Sequence, residues 1–306
     1  MANIVFMGTP DFAVPTLKAL IAHHTVIGVI TQPDRPAGRN RQIQMSPVKL
    51  VALEAGIPVF QPEKIRRADS VAELKQWQPD VYIVAAFGQL LPQTVLDIPP
   101  HGSINVHASL LPRWRGAAPI QASVRAGDAE TGVTIMKMDA GLDTGAMLSK
   151  RAIPIEADDT GGSMHDKLSQ IGAELLIETL PGYLDGTIQP VQQDESLVTI
   201  APRIEKSESK LDWTQPADAI ERWVRAFAPR PGTFTYWEGK LIKVISGAAE
   251  NGSAPPGKVI EHEGRLAIGT GGGLYLPTRL QIEGKSAVSA AEFMRGYPAI
   301  LGAQLG

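Results

Sequence analysis

Asn3-Ile4-Val5-Phe6-Met7-Gly8-Thr9-Pro10-Asp11-Phe12 carries an apolar run that stops at a glycine. Thr9-Pro10-Asp11 then supplies turn and helix-start chemistry, and Phe12, Val14, Leu17, Leu20 and Ile21 recur at the spacing of one helical face. The motif repeats outward. Val26–Ile30 reads as a second buried strand, Ser46-Pro47 as a helix start, Pro58-Val59-Phe60 as a strand, Val71–Trp77 as a helix and Val81–Ala86 as a strand. Strand–helix units with near-continuous apolar strands predict a mostly parallel sheet covered on both faces, an α/β, Rossmann-like fold.

That fold often binds dinucleotides, but the fingerprint is missing. Gly8-Thr9-Pro10-Asp11-Phe12 has a single glycine where G-x-G-x-x-G needs three, and Pro10 removes an amide donor from the turn. The chain has 306 residues, 43% hydrophobic and 20% charged, with no cysteine. Such a length holds two domains, and the absence of thiols removes disulfides, thiolate catalysis and cysteine zinc sites and suits a cytoplasmic protein. No apolar run approaches the roughly 20 residues of a membrane span, so no membrane partner is expected. The net charge of -3 divides unevenly, since residues 203–306 hold 13 Lys and Arg against 11 Asp and Glu. A slightly basic back half on an acidic protein hints at an anionic partner.

Ser103-Ile104-Asn105-Val106-His107 reads as a further strand, running into Ala108-Ser109-Leu110-Leu111-Pro112-Arg113-Trp114-Arg115-Gly116. Strand side chains alternate, so Asn105 and His107 share a face while Ile104 and Val106 take the other. His107 alone fits a core histidine as well as a catalytic one. Strand Gly132–Met138 feeds Asp139-Ala140-Gly141-Leu142-Asp143-Thr144-Gly145, a carboxylate-bearing glycine-rich loop. With a carboxylate beside it, His107 could act as general acid or hold positive charge near an oxyanion, and Asn105 could donate to the same oxygen. Asp143, close to the loop glycines, is preferred to Asp139, which closes the strand. Neither a nucleophile motif nor metal-ligand spacing occurs, so no metal is expected. An Asn/His/Asp set without either suits direct acyl transfer between two bound substrates.

The span Pro33–Lys49 is longer than a βα connection requires and carries Arg35, Arg39, Arg41 and Lys49 against Asp34. It reads as a solvated surface loop or as a basic loop that grips nucleic acid. A long amphipathic helix bears Met164, Leu168, Ile171, Leu175 and Leu176. Residues 187–207 are polar and weakly periodic and read as a linker. After a helix at Asp218–Phe227 come short runs at Thr233–Trp237, Lys240–Ile245, Lys258–Ile260, Arg265–Ile268 and Leu274–Leu276, with Glu238-Gly239 as a tight hairpin. They predict a small antiparallel barrel of the oligonucleotide-binding (OB) type. Gly269, Gly271, Gly272 and Gly273 precede no helix and read as a hairpin turn rather than a phosphate loop. The expected organisation is a catalytic domain over 1–186, a linker over 187–207 and an OB-like β-barrel over 208–306.

These residues together resemble the folate-dependent formyltransferase family over nearly the whole length. The likeness rests on Asn105-x-His107, the Ser109-Leu110-Leu111-Pro112 turn, Asp143-Thr144-Gly145, Arg115–Ile120 and the inserted Thr31–Arg39 segment of members that act on tRNA. The resemblance implies 10-formyltetrahydrofolate as formyl donor and the methionyl amine of initiator tRNA as acceptor. It implies catalytic roles for Asn105, His107 and Asp143, and a folate site lined by Ser109, Leu110, Leu111 and Pro112, with Phe87, Gly88, Gln89 and Leu90 near the pterin. Arg35, Arg39 and Arg41 of the insertion, and Arg203 and Lys206 before the barrel, are the implied tRNA contacts, and a monomer is expected. Ala108 departs from relatives with Gly or Pro there. The alternatives are a formyltransferase for a small amine, which would need no basic insertion, and an RNA-binding protein, which would need none of the Asn/His/Asp set.

Overall fold

The computed structural model describes residues 2–37 and 42–306. Its chain forms two compact units that interleave in sequence: Met1–Gly116, Thr131–Ile153 and His165–Ala201 make one, and Ala117–Glu130, Pro154–Met164 and Pro202–Gly306 make the other.

In the first unit β1 (Asn3–Gly8) leads through α1 (Val14–His23) to β2 (Thr25–Ile30). A two-stranded antiparallel hairpin, β3 (Arg35–Ala37) with β4 (Gln42–Gln44), then precedes α2 (Pro47–Glu54). The Ser46 side chain caps α2 by accepting the Lys49 amide at 3.1 Å, and Pro47 sits where its missing N–H is not needed. The chain continues through β5 (Val59–Phe60), α3 (Ala68–Gln76), β6 (Val81–Ala85), α4 (Gln93–Leu96), β7 (Ser103–His107) and β8 (Arg115–Gly116). After α5 (Pro119–Ala126), which belongs to the second unit, come β9 (Glu130–Lys137), β10 (Met147–Pro154), α6 (Gly161–Leu184) and β11 (Ile200–Ala201).

Seven strands form one sheet in the order β10-β9-β7-β6-β1-β2-β5. From β7 to β5 all neighbours are parallel, whereas β9 runs antiparallel to β7. The uninterrupted apolar strands follow from burial on both faces: Ile4, Val5, Phe6 and Met7 are all 0% exposed. Val5, Met7, Tyr82 and Val84 join Ile30, Ile65 and Leu74 in one core layer. At Gly8 a Cβ would lie 2.7 Å from the Phe6 ring and 3.0 Å from the Ala85 carbonyl, so only glycine lets the chain leave the sheet there.

Residues 187–207, expected as a linker, hold defined structure. Val191 bridges to Met147, β11 pairs in parallel with β8, and the Trp114 amide donates to Thr199 Oγ1 at 2.9 Å. Backbone pairing and side-chain hydrogen bonds, not apolar burial, order the stretch, which is why no periodicity betrays it.

The second unit places α7 (Ala217–Phe227) beside an antiparallel sheet of β12 (Thr233–Trp237), β13 (Lys240–Glu250), β14 (Val259–His262), β15 (Arg265–Gly269), β16 (Leu274–Ile282) and β17 (Val288–Ser289), followed by α8 (Ala290–Gly296). The order is β12-β13-β16-β15-β14, with β17 on β16. β13 outruns its expected end because its register shifts between Val244 and Gly247, which breaks the alternation without ending the strand. Glu238 and Gly239 both take positive φ, 48° and 77°, as a tight hairpin demands. Thr270 Oγ1 donates to the Gly273 carbonyl at 2.8 Å, closing the glycine-rich turn between β15 and β16 as a hairpin. Among the described residues no helix is long and apolar enough to cross a membrane.

Candidate active site

The strand order places β2 and β5 on one side of β1 and β6 and β7 on the other. Loops leaving β1 and β6 diverge there, and in open α/β sheets such a switch point is where ligands bind. A cavity of about 630 Å³ occupies it, lined by Thr9 and Pro10 after β1, Gln32 and Pro33 after β2, Ala86, Phe87 and Gly88 after β6, and Arg35 and Gln44–Pro47 of the insertion. Thr9 Oγ1 donates to the Phe87 carbonyl at 3.0 Å and Gln32 Nε2 to the same oxygen at 3.3 Å, tying the three loops together.

Next along the sheet, β7 ends at His107, which is 6% exposed, with Asn105 half-buried on the same face. His107 Nε2 lies 3.1 Å from the Trp114 carbonyl, and a carbonyl only accepts, so Nε2 carries the hydrogen. Nδ1 lies 3.7 Å from Asp143 Oδ2, beyond a direct hydrogen bond. Trp114 itself has φ +63°, a left-handed conformation that bulky residues avoid. The hydrogen bond its amide donates to Thr199 Oγ1 and the Arg113 guanidinium 4.3 Å over its ring accompany that geometry.

Asp143 also has a positive φ, +52°. Such a residue costs on the order of 1–3 kcal/mol unless its surroundings impose it. Here they do. The Gly116 amide donates to Asp143 Oδ2 at 2.8 Å, and Gln193 Nε2 donates to the Asp143 carbonyl at 2.7 Å and the Gly145 carbonyl at 2.8 Å. Asp139 does different work: its Oδ1 accepts from the Gly141 amide at 3.0 Å and Thr144 Oγ1 at 2.6 Å, shaping the loop. Geometry thus separates the two acids of the loop.

The turn after His107 is held from within. Buried Ser109 Oγ donates to the Arg113 carbonyl at 2.6 Å. Thr134, opposite His107 on β9, donates to the Ser109 carbonyl at 2.7 Å and accepts the Leu111 amide at 3.1 Å. Lys150 Nζ reaches the Leu111 carbonyl at 3.2 Å, and the Leu111–Pro112 peptide is cis. Ser109, Leu110, Leu111 and Pro112 do not line the switch-point cavity, whereas Phe87 and Gly88 do. Gln89 is engaged with the Pro62 carbonyl and the Ile65 amide, and Leu90 is 84% exposed.

Of the expected tRNA contacts, Arg35 opens β3 and lines the cavity, while Arg39 and Arg41 lie outside the described residues. Lys49 is committed elsewhere: its Nζ donates to Asp34 at 2.5 Å and Gln61 at 2.7 Å. The Lys49 hydrogen bond is the main reason that the Asp34 carboxyl sits below its ordinary range. Within the second unit, Arg203 and Lys206 join Lys243, Gln121 and Phe234 around a groove of about 880 Å³. Thr134, Gln193, Glu195 and Thr199 were not singled out in the sequence, and neither was a role for the Trp114 carbonyl. All act through the backbone or through long-range side-chain pairs, which leave no local signal.

The chain matches the model of the formyl transferase family over residues 2–180 and that of the formyl transferase C-terminal domain over 203–298. It is 48% identical to the methionyl-tRNA formyltransferase of Geobacter sulfurreducens over 99% of this chain and 96% of that one. With the enzyme of the same name from Pseudomonas paraeruginosa it shares 50% identity over 95% of this chain and 94% of that one. Among solved structures, the sugar 3N-formyl transferase WlaRD, determined with dTDP and 5-N-formyl-THF, superposes with a TM-score of 0.68 at 18% identity, covering 94% of this chain and 99% of that one. HypX from Aquifex aeolicus, in complex with tetrahydrofolic acid, does so with a TM-score of 0.62 at 18% identity, covering 96% of this chain and 47% of that one. Matches at both ends, joined by near-half identity along the full length, mean that the chain belongs to the formyl transferase family, with the methionyl-tRNA formyltransferases.

Proposed function

We propose that Asn105, His107 and Asp143 share the chemistry of one formyl transfer, whose donor is 10-formyltetrahydrofolate and whose acceptor is the amino group of methionyl-tRNA. The free amine attacks the formyl carbon. His107 and Asn105 hold the oxygen that becomes anionic, and Asp143, through a water, takes the amine's proton as tetrahydrofolate departs. The observation that carries this reading is the convergence of an imidazole from β7 and a carboxylate from the loop after β9, with Asp143 Oδ2 and His107 Nδ1 3.7 Å apart. Folate lies, in this proposal, against Ser109–Pro112 and the backbone at Phe87–Leu90.

The acceptor is chosen elsewhere. Arg35, Arg39 and Arg41 of the insertion meet the acceptor stem of initiator tRNA, and Arg203 and Lys206 follow its backbone from the second unit. The enzyme works as a monomer in the cytoplasm. Transfer of formyl from 10-formyltetrahydrofolate to Met-tRNA, with non-initiator tRNA and small amines as controls, tests the whole assignment. A preference for small amines would move the chain to another branch of the family, and tRNA binding without transfer would leave an RNA-binding protein.

Two results are expected of the tRNA contacts. Deleting residues 38–44 should abolish discrimination for the initiator acceptor stem and leave folate binding intact by titration; equal loss of folate binding would show the loop to be misplaced. Affinity for tRNA should fall steeply with salt, and Lys206→Ala should lower the log–log slope by about one phosphate contact. An unchanged slope would remove Lys206 from the interface.

A further inference from the structure

Gln193 lies 50 residues beyond Asp143, in the polar stretch expected as a linker, yet it is only 8% exposed and its side chain is fully used. Both amide hydrogens go to the catalytic loop, one to the Asp143 carbonyl and one to the Gly145 carbonyl. Its Oε1 accepts from Arg115 Nε at 3.0 Å. Arg115 is itself 4% exposed, and its two terminal nitrogens meet Glu195 at 3.2 and 2.7 Å. That two-pronged pairing fixes the guanidinium plane, so that Nε points at Gln193 and locks the amide orientation. A flipped amide would set its oxygen against two carbonyls and its hydrogens against a cation.

We propose that Gln193 is a positioning residue for Asp143, oriented by the Arg115–Glu195 pair. The loop it grips holds a non-glycine residue at positive φ, a conformation that persists only where the surroundings impose it. The second hold on Asp143, the Gly116 amide, comes from the residue after Arg115, so one short strand fixes the carboxylate from the front and steadies Gln193 behind it. With Gln193 replaced by a side chain of like size that makes no hydrogen bonds, the loop is free to relax towards negative φ, and the carboxylate leaves its place beside His107. Substrate binding, which runs through other residues, is untouched.

This inference rests on the catalytic reading of Asp143, and a double-mutant cycle separates the two. Asp143→Asn alone should cut kcat by at least about 10²-fold; near-normal turnover there would overturn the catalytic reading itself. Gln193→Met should lower kcat by about 10–100-fold, with KM for folate and for Met-tRNA within about threefold, because a bound substrate meets a misplaced base. In the Asp143→Asn background the same Gln193 substitution should have almost no further effect. Undiminished loss in that background, or loss confined to KM, would overturn the positioning role. If Gln193→Met does not yield folded protein, Glu195→Gln takes its place. It loosens the clamp on Arg115 from a side chain that is 72% exposed, and it should give a smaller kcat loss with the same dependence on Asp143. Full kcat in Glu195→Gln, or a loss that persists undiminished in the Asp143→Asn background, would overturn the proposal.

Discussion

His107→Ala is expected to lower kcat for formyl transfer to Met-tRNA by at least ~10²-fold while tRNA affinity stays within a few-fold, since general acid–base and oxyanion contacts are each worth about that much. The imidazole stands at the end of β7 with one nitrogen on the Trp114 carbonyl and the other towards Asp143. Alanine removes the group proposed to meet the reacting oxygen and also leaves the Trp114 carbonyl without its imidazole partner. The second loss has a structural cost of roughly 1–3 kcal/mol if that oxygen stays dry. His107→Gln separates the contributions, because an amide donor replaces the hydrogen bond but neither titrates nor carries charge. Single-turnover rates with saturating folate, beside thermal melts of both variants, give the comparison. Turnover near the parent's in His107→Ala would end the assignment of the histidine, whatever the melts show.

Gly116→Ala should be far more damaging than a glycine substitution at an open turn. Gly116 has φ +123°, and a Cβ there would lie 2.4 Å from the Ala201 carbonyl. No rotamer relieves a backbone clash, so β8 and β11 must separate. The amide that holds Asp143 Oδ2 moves with them. Stability should drop by about 3 kcal/mol or more, combining overpacking with the cost of that backbone conformation. The fraction that folds should lose at least about tenfold in kcat, as expected when a catalytic carboxylate is displaced. Gly186→Ala supplies the contrast. It also has positive φ, +80°, but nothing lies within 4 Å of its Cβ, so it should cost only about 1–2 kcal/mol. Equal denaturant midpoints for the two variants would show that the β8–β11 pairing matters little.

The parallel sheet was readable because strands buried on both faces must be apolar throughout, as Ile4–Met7 and Val81–Ala85 are. The face shared by Asn105 and His107 was readable from alternation alone, and the choice of Asp143 over Asp139 rested on loop glycines. Other features were not. Nothing in Glu130–Lys137 announces that it runs against β7, since its interior residues are as buried as those of the parallel strands and strand direction leaves no mark on burial. Gln193, Glu195 and Thr199 looked like linker because partners 48 to 85 positions away in the chain leave no pattern nearby. Most of that stretch is exposed, as its polarity suggests, but the buried Gln193 uses its amide to pair with backbone carbonyls of the loop after β9. The charge count of Pro33–Lys49 sets four cations against Asp34 without saying which of them pairs with it; the structure gives that place to Lys49.

The β8–β11 pairing bears on where this molecule can be divided. A fragment ending at Leu184 would keep the seven sheet strands, the switch-point cavity, Asn105, His107 and Asp143. It would lack Gln193, Glu195, Thr199 and the carbonyl that receives the Arg115 amide. The three candidate side chains would be aboard, but the Asp143 and Gly145 carbonyls would lose Gln193 and the Trp114 amide would lose Thr199. Because the two units interleave, no single cut separates them, but the last segment of the sheet unit runs to Ala201, seventeen residues past Leu184.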